Sequence, residues 1–280
     1  MPSDFAGLRV LSLESRRAQE IAKLIANSGG HPLVVSSVRE IPLASNREAL
    51  DFASQLAEGR IDMVIFMTGV GVRLLMRIVE TAYPVEKFVA ALSKIPVIAR
   101  GPKPSAALRD LKVSIAAVVP EPNTWRELLT VFDQQPAVLP LDQRRVALQE
   151  YGVSNPDLMV GLKQRGAVVI SVPVYEWALP DDKGPLRDVV ETIVRGEVDV
   201  FLVTAAVQIR HLFAVAEEMG LGVKLGAALS HVFIGSIGPM TSEELVRHGL
   251  SPSVEPSHPK MGILVREASE QAAAVLREKK

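Results

Sequence analysis

The chain has 280 residues, 48% of them hydrophobic and 22% charged, and Lys plus Arg (31) nearly balance Asp plus Glu (32) for a net charge of −1. That length favours two domains, and the balance excludes a nucleic-acid protein held by bulk electrostatics as well as a polybasic membrane anchor. No cysteine is present, so neither a disulfide framework nor a thiolate metal site can form. No apolar run approaches the roughly 20 residues of a membrane span. The opening MPSDFAGLRVLSLESRR lacks the basic-then-apolar order of a secretory signal, so a soluble cytoplasmic protein is expected.

In chain order, Val10, Leu11 and Leu13 form a short apolar strand, and Ser15 is expected to cap the helix that follows. Ala18, Ile21, Ala22 and Ile25 recur at helical spacing, Gly29-Gly30 supply the stop, and Leu33 to Val38 reads as a second strand. A helix over roughly Asn46 to Glu58 leads to a buried strand, Ile61 to Met67, the turn Thr68 to Gly71, and a helix from Val72. The scheme repeats with a strand Val97 to Ala99, a turn Arg100 to Pro104 and a helix from Ser105. A short strand Ala116 to Val119 and a helix around Arg126 to Phe132 close this half.

The same order then returns. Arg9, Val10, Glu14 and Gly30 match Arg145, Val146, Glu150 and Gly166 at an offset of 136 residues. Asp62, Val70, Arg73 and Leu75 match Asp199, Val207, Arg210 and Leu212 at 137, as Gly101, Pro102 and Leu108 match Gly238, Pro239 and Leu245. Glu121-Pro122 finds Glu255-Pro256 at 134. A nearly constant offset over this span marks an internal duplication.

The stretch VPVYEWALP, Val172 to Pro180, reads as a proline-marked strand with Val172, Val174 and Glu176 on one face and Pro173, Tyr175 and Trp177 on the other. It and the segment Leu33 to Ile41 are repeat-related, and both end in proline-rich polar breaks. The expected fold is α/β, with two similar open parallel-sheet domains. The repeat does not settle whether the cut falls between the repeats, near residue 140; the proline-rich breaks favour these two segments as connector strands, with each domain borrowing from both repeats. The expected boundaries are 1–37 plus 179–280 for one discontinuous domain, 45–171 for the other, and connector strands 38–44 and 172–178.

His31, His211, His231, His248 and His258 are scattered without an i,i+4 pair, so no metal site is expected. TGVGVR opens a helix after a strand but lacks the third glycine of a dinucleotide loop, and there is no P-loop and no nucleophile elbow. What remains is a set of polar turns at strand ends: Thr68-Gly69-Val70-Gly71, Arg100-Gly101-Pro102-Lys103, Thr204-Ala205-Ala206 and Gly238-Pro239-Met240-Thr241. Each puts backbone N–H groups at a helix start, which favours anions by roughly 0.3 to 1 kcal/mol. Any one of them could be no more than a capped helix. Four in two repeat-related pairs point to a polyanion held between the domains. Tyr175 is either half-buried packing or a proton donor at a cleft.

Taken together, LESRRA, FMTGVGVRLL, IARGPKPSAAL, VALQEYG, VPVYEWALP, RGEVDVFLVTAAVQIRHLF and IGPMTSEELVRHGL give the chain its resemblance, over essentially its full length, to the uroporphyrinogen-III synthase family. The resemblance implies two α/β domains joined by a two-stranded β connector, in agreement with the borrowed-strand reading. It implies hydroxymethylbilane, a linear tetrapyrrole with eight carboxylates, as substrate, with no cofactor and no metal. It implies cyclisation through an azafulvene and a spiro intermediate that inverts ring D, with Tyr175 assisting hydroxyl loss. The family's threonine of the GPxT turn falls on Thr241, where the repeat-related position is Pro104. Thr68 and Thr204 match better than Gly69 and Ala205, which stand where other members carry serine. A monomer without nucleic-acid or membrane partners is expected, with connectors acting as hinges. The competing reading is a non-enzymatic two-domain module for binding a small anion or for regulation, which shares the duplication but not the order of motifs.

Overall fold

The computed structural model describes residues 4–43, 46–150, 152 and 154–278; residue 44, at the end of the first expected connector, lies outside them. In chain order the elements are β1 (Arg9–Ser12), α1 (Ala18–Asn27), β2 (His31–Val34), β3 (Arg39–Pro42), α2 (Arg47–Ala57), β4 (Met63–Phe66), α3 (Gly69–Glu80) and α4 (Val85–Leu92). They continue with β5 (Val97–Ala99), α5 (Pro102–Asp110), β6 (Ala117–Val118), α6 (Trp125–Gln134), β7 (Arg145–Gln149), α7 (Pro156–Gln164), β8 (Val168–Val172) and β9 (Tyr175–Ala178). The last are α8 (Gly184–Val194), β10 (Val200–Val203), α9 (Ala206–Glu218), α10 (Gly222–Leu229), β11 (Phe233–Ser236), α11 (Pro239–Arg247) and α12 (Met261–Glu278). The chain divides into two units, residues 1–39 with 178–280 and residues 40–177.

The first unit is built on a parallel sheet of order β11-β10-β1-β2. Its strands are apolar on both faces because helices cover both. Val200 and Leu202 face α1 and α12 together with Ile21, Leu264 and Ala268. Phe201 and Val203 face α8 to α11 with Val190, Leu212 and Leu245. The second unit carries the parallel order β6-β5-β4-β7-β8. Val64 and Phe66 pack under α2 to α5, whereas Met63 and Ile65 pack under α6 and α7. Strands β3 and β9 form a separate two-stranded sheet, and the chain passes between the units within these two strands.

The duplication is visible as one motif built twice from opposite halves. The Arg9 guanidinium and main-chain N–H grip both Asp199 carboxylate oxygens at 2.8–2.9 Å, and the Asp199 N–H donates to the Arg9 carbonyl. In the second unit Asp62 accepts from the Arg145 N–H at 2.8 Å and donates its own N–H to the Arg145 carbonyl. Each pair joins one residue of the first repeat to one of the second, so each sheet is completed by both. Three details differ from the sequence expectations. Ser15 does not cap α1; its hydroxyl accepts from the Val38 N–H instead, and Glu14 Oε1 takes the Arg16 and Arg17 N–H groups. The strand expected over Leu33 to Val38 ends at Val34, with β3 separate from it. The single strand expected from Val172 is broken at Pro173 and Val174, which separates β8 from β9 and resets the alternation.

Candidate functional site

The carboxyl ends of four parallel strands run into the turns singled out above. In the second unit β4 passes through Met67 and Thr68 into α3. Thr68 is the N-cap: its Oγ1 accepts the Gly71 N–H at 2.9 Å, which leaves the N–H groups of Gly69 and Val70 as the unbonded donors of the first turn. The same Oγ1 lies 3.4 Å from the Tyr175 hydroxyl. Tyr175 is only 3% exposed and packs with Val172 and Val174 into the layer beneath α2 to α5. It is buried more deeply than the half-buried packing expected, because the break at Pro173 turns Val174 and Tyr175 both inward. Only the phenolic edge reaches the start of α3.

Gly69 is required by packing. A Cβ there would stand 2.6 Å from the Lys103 carbonyl oxygen, so α3 and α5 approach backbone to backbone. Gly71 leaves room for the fully buried amide of Gln149, with which a Cβ would overlap. Gln149 Oε1 accepts the Thr68 N–H at 3.3 Å. Helix α5 starts at Pro102 rather than Ser105, with Gly101 as N-cap. Prolines at its first and third positions have no N–H, so of the first turn only Lys103 supplies an amide donor. The donors here narrow to the amides of Lys103 and of the N-cap Gly101, plus the exposed Lys103 ammonium, with Arg100 half-buried beside it.

In the first unit β10 leads to α9, whose N-cap is Ala205. Gln208 Oε1 takes the N–H groups of Thr204 (2.9 Å) and Ala205 (3.3 Å), leaving those of Ala206 and Val207. The Thr204 hydroxyl donates to Glu14 Oε2 at 2.5 Å and accepts from Gln208 Nε2 at 2.9 Å, so it is committed within the unit. Thr68 and Thr204 are therefore not equivalent: Thr68 corresponds to Ala205, and Thr204 to Met67. In α11 the Thr241 N–H closes on the Gly238 carbonyl at 3.0 Å and its side chain is buried, while Met240 keeps an amide donor. Ser236 and Ser242 complete this turn by hydroxyl bonds to each other and to Gly238. Sequence reasoning missed Gln149 and Gln208. The signal was complementary: the offset of 137 sets Gly71 against Gln208, so one turn makes room for an amide that the other supplies itself.

Two further groups tie α9 down. Glu244, only 5% exposed, receives Arg210 at 3.0 Å and Arg247 at 3.2 Å, with His248 at 3.5 Å and stacked on Phe213. His211 Nδ1 lies 2.6 Å from the Ser37 carbonyl, to which its N–H donates. Burial pushes the imidazole below its ordinary 6.5, the Ser37 carbonyl opposes this, and the Arg210 cation adds to it. The unfolded chain then binds more protons than the folded one between the folded pKa and 6.5, so stability falls as pH drops through that window and is unaffected above it. Thermal melts from about pH 5 to 8 should show this acid slope flattened in His211→Asn, which keeps a donor near Nδ1 but cannot titrate. An unchanged slope would assign it to another group.

Among the described residues, no cluster of three or more His, Asp or Glu side chains could hold a metal ion, and no helix is long and apolar enough to cross a membrane. The fold and its turns define the class: a duplicated, doubly wound parallel α/β protein with amide donors at the carboxyl ends of its strands. The chain belongs to the family described as Uroporphyrinogen-III synthase HemD, which matches residues 19–266. It is 28% identical in sequence to a mutant uroporphyrinogen III synthase of the extremely thermophilic bacterium Thermus thermophilus, with a TM-score of 0.71 over 98% of this chain and 100% of that one. It is 27% identical to the Bacillus subtilis (strain 168) protein YjjA over 95% of this chain and 97% of its relative. It is 28% identical to a Methanothermobacter thermautotrophicus protein named "Putative uroporphyrinogen-III synthase", over 84% and 87%.

Proposed function

We propose that the chain is a uroporphyrinogen-III synthase that cyclises hydroxymethylbilane to uroporphyrinogen III with inversion of ring D and loss of water. Family membership across residues 19–266 supports the reaction class. The observation that carries the chemistry is the phenol of Tyr175 set 3.4 Å from the N-cap hydroxyl of Thr68. A phenol, with an ordinary pKa of about 10, is a proton donor at neutral pH. Tyr175 gives its proton to the departing hydroxyl, the C–O bond breaks, and water leaves behind a cationic, protonated azafulvene. Ring D attacks that carbon through its substituted position, the spiro intermediate fragments, and reclosure inverts the ring. The proton lost as ring D regains aromaticity balances the one delivered.

The substrate's carboxylates suit many weak, fixed donors better than one cluster of cations, because a single basic patch would not set ring order. Each unit offers donors of this kind: the amides of Gly69, Val70 and Lys103 with the Arg100 and Lys103 side chains in one, and the amides of Ala206, Val207 and Met240 in the other. Holding the folded bilane is the larger part of the work, an orientation effect, since the bilane also cyclises unaided to isomer I. The protein acts as a cytoplasmic monomer without metal or cofactor. The test is incubation with freshly generated hydroxymethylbilane, followed by resolution of isomers I and III. Isomer III in excess is the expected result. Isomer I alone, at the spontaneous rate, sinks the reading, and saturable binding without turnover would favour an anion-binding module.

A further inference from the structure

We infer that Gln149 is a positioning residue whose buried amide sets the Thr68 hydroxyl against the phenol of Tyr175; this rests on the proposed synthase reading. Gln149 is the last residue of β7, between Phe66 of β4 and Val172 of β8, and is fully buried. A buried amide costs stability unless both of its ends are bonded, and a hydrocarbon would fill such a place more cheaply. The repeat-related position, at an offset of 136, is filled in that way by Leu13, itself fully buried. The amide therefore does something that position 13 does not require.

What it does is hold one turn. Oε1 takes the Thr68 N–H at 3.3 Å and Nε2 donates to the Glu150 carbonyl, while Gly71 leaves the space that the amide occupies. The first unit holds its own turn with Gln208, which reaches the Thr204 and Ala205 N–H groups from within the helix. There the N-cap residue is Ala205 and carries no hydroxyl. In the second unit the N-cap held by the amide is Thr68, whose Oγ1 is fixed between the Gly71 N–H at 2.9 Å and the Tyr175 hydroxyl at 3.4 Å. Anchoring the Thr68 backbone from the strand side fixes where that hydroxyl points.

The test is a double-mutant cycle on the isomer assay. Gln149→Leu, which installs the side chain of position 13, should lower kcat by about tenfold with KM nearly unchanged, as loss of alignment does. In a Tyr175→Phe background the same change should lower kcat by less than about twofold further, because the group being aligned is gone. Losses that multiply in the cycle, or a wild-type kcat for Gln149→Leu, overturn the inference. Gly71→Ala, which drives the amide off the Thr68 N–H while keeping it, should give the same non-additive pattern and serves if Gln149→Leu does not fold. A second readout needs no bilane. The chain has three tyrosines, so Tyr83→Phe with Tyr151→Phe leaves Tyr175 as the only titrating phenol. Its ultraviolet difference titration should shift when Gln149→Leu or Gly71→Ala is added. An unshifted midpoint overturns the positioning role, whereas absence of isomer III with a shifted midpoint sinks the synthase reading alone.

Discussion

Tyr175→Phe is expected to lower turnover by about ten- to a hundredfold while leaving isomer III as the main product. General acid catalysis by a positioned side chain ordinarily contributes about 10²- to 10⁴-fold, and the low end applies because water can protonate the same leaving group. The expected split follows from the division of labour: the phenol speeds hydroxyl loss, whereas the fixed amides choose how the bilane folds. Phenylalanine keeps the ring that packs beside Val172 and Val174, so the melting temperature should move little. Thr68 also keeps its bond to the Gly71 N–H, so the turn survives. Measured kcat together with the isomer ratio separates the cases. A wild-type rate removes the acid role, and a shift towards isomer I would show that the phenol helps fold the substrate instead.

Gly69→Ala is expected to destabilise the second unit by about 1–3 kcal/mol, the usual range for overpacking. The added methyl would sit 2.6 Å from the Lys103 carbonyl oxygen, a main-chain atom that can retreat only if α5 moves. Against this stands the helix-propensity gain of alanine over glycine, below about 1 kcal/mol, so the clash wins. A chain of this size loses about 2–4 °C of melting temperature per kcal/mol. Because the displaced turn also carries the Thr68 hydroxyl, the loss of turnover should exceed that of Gly71→Ala, whose methyl meets the movable end of Gln149. A melting temperature at or above wild type would mean that α3 and α5 separate without cost.

Much of this architecture could be read from the chain because its punctuation is local. Apolar runs such as Met63–Phe66 and Val200–Val203 admit only strands covered on both faces, and the Thr and Gly residues after them mark the helix starts. What could not be read depends on contacts distant in sequence. Alternation along the strand sets Tyr175 on the face opposite Val172 and Val174, yet all three share one core, because alternation carries no information across a break such as Pro173-Val174. Thr68 and Thr204 look alike as residues, yet their neighbours at the offset of 137 are Ala205 and Met67, which becomes plain only once the caps are located. A glutamine closing an apolar strand reads as a residue turning towards water. The burial of Gln149 follows only when Gly71 is seen to leave space for it.

The crossed pairing of the repeats also bears on the order in which the protein matures during synthesis. Strand β1 lies between β2 and β10 in its sheet, and Arg9 finds its carboxylate partner only at Asp199. Every strand of the other sheet, by contrast, has left the ribosome once Val172 has emerged. The unit spanning residues 40–177 can therefore close while the first 39 residues still carry Val10, Leu11 and Leu13 uncovered. This pairing favours the reverse of the usual order, in which the amino-terminal part folds first. The beginning of the chain must be kept from aggregating until its end arrives, and a ribosome stalled between the two would display an apolar strand whose partner had not yet been made.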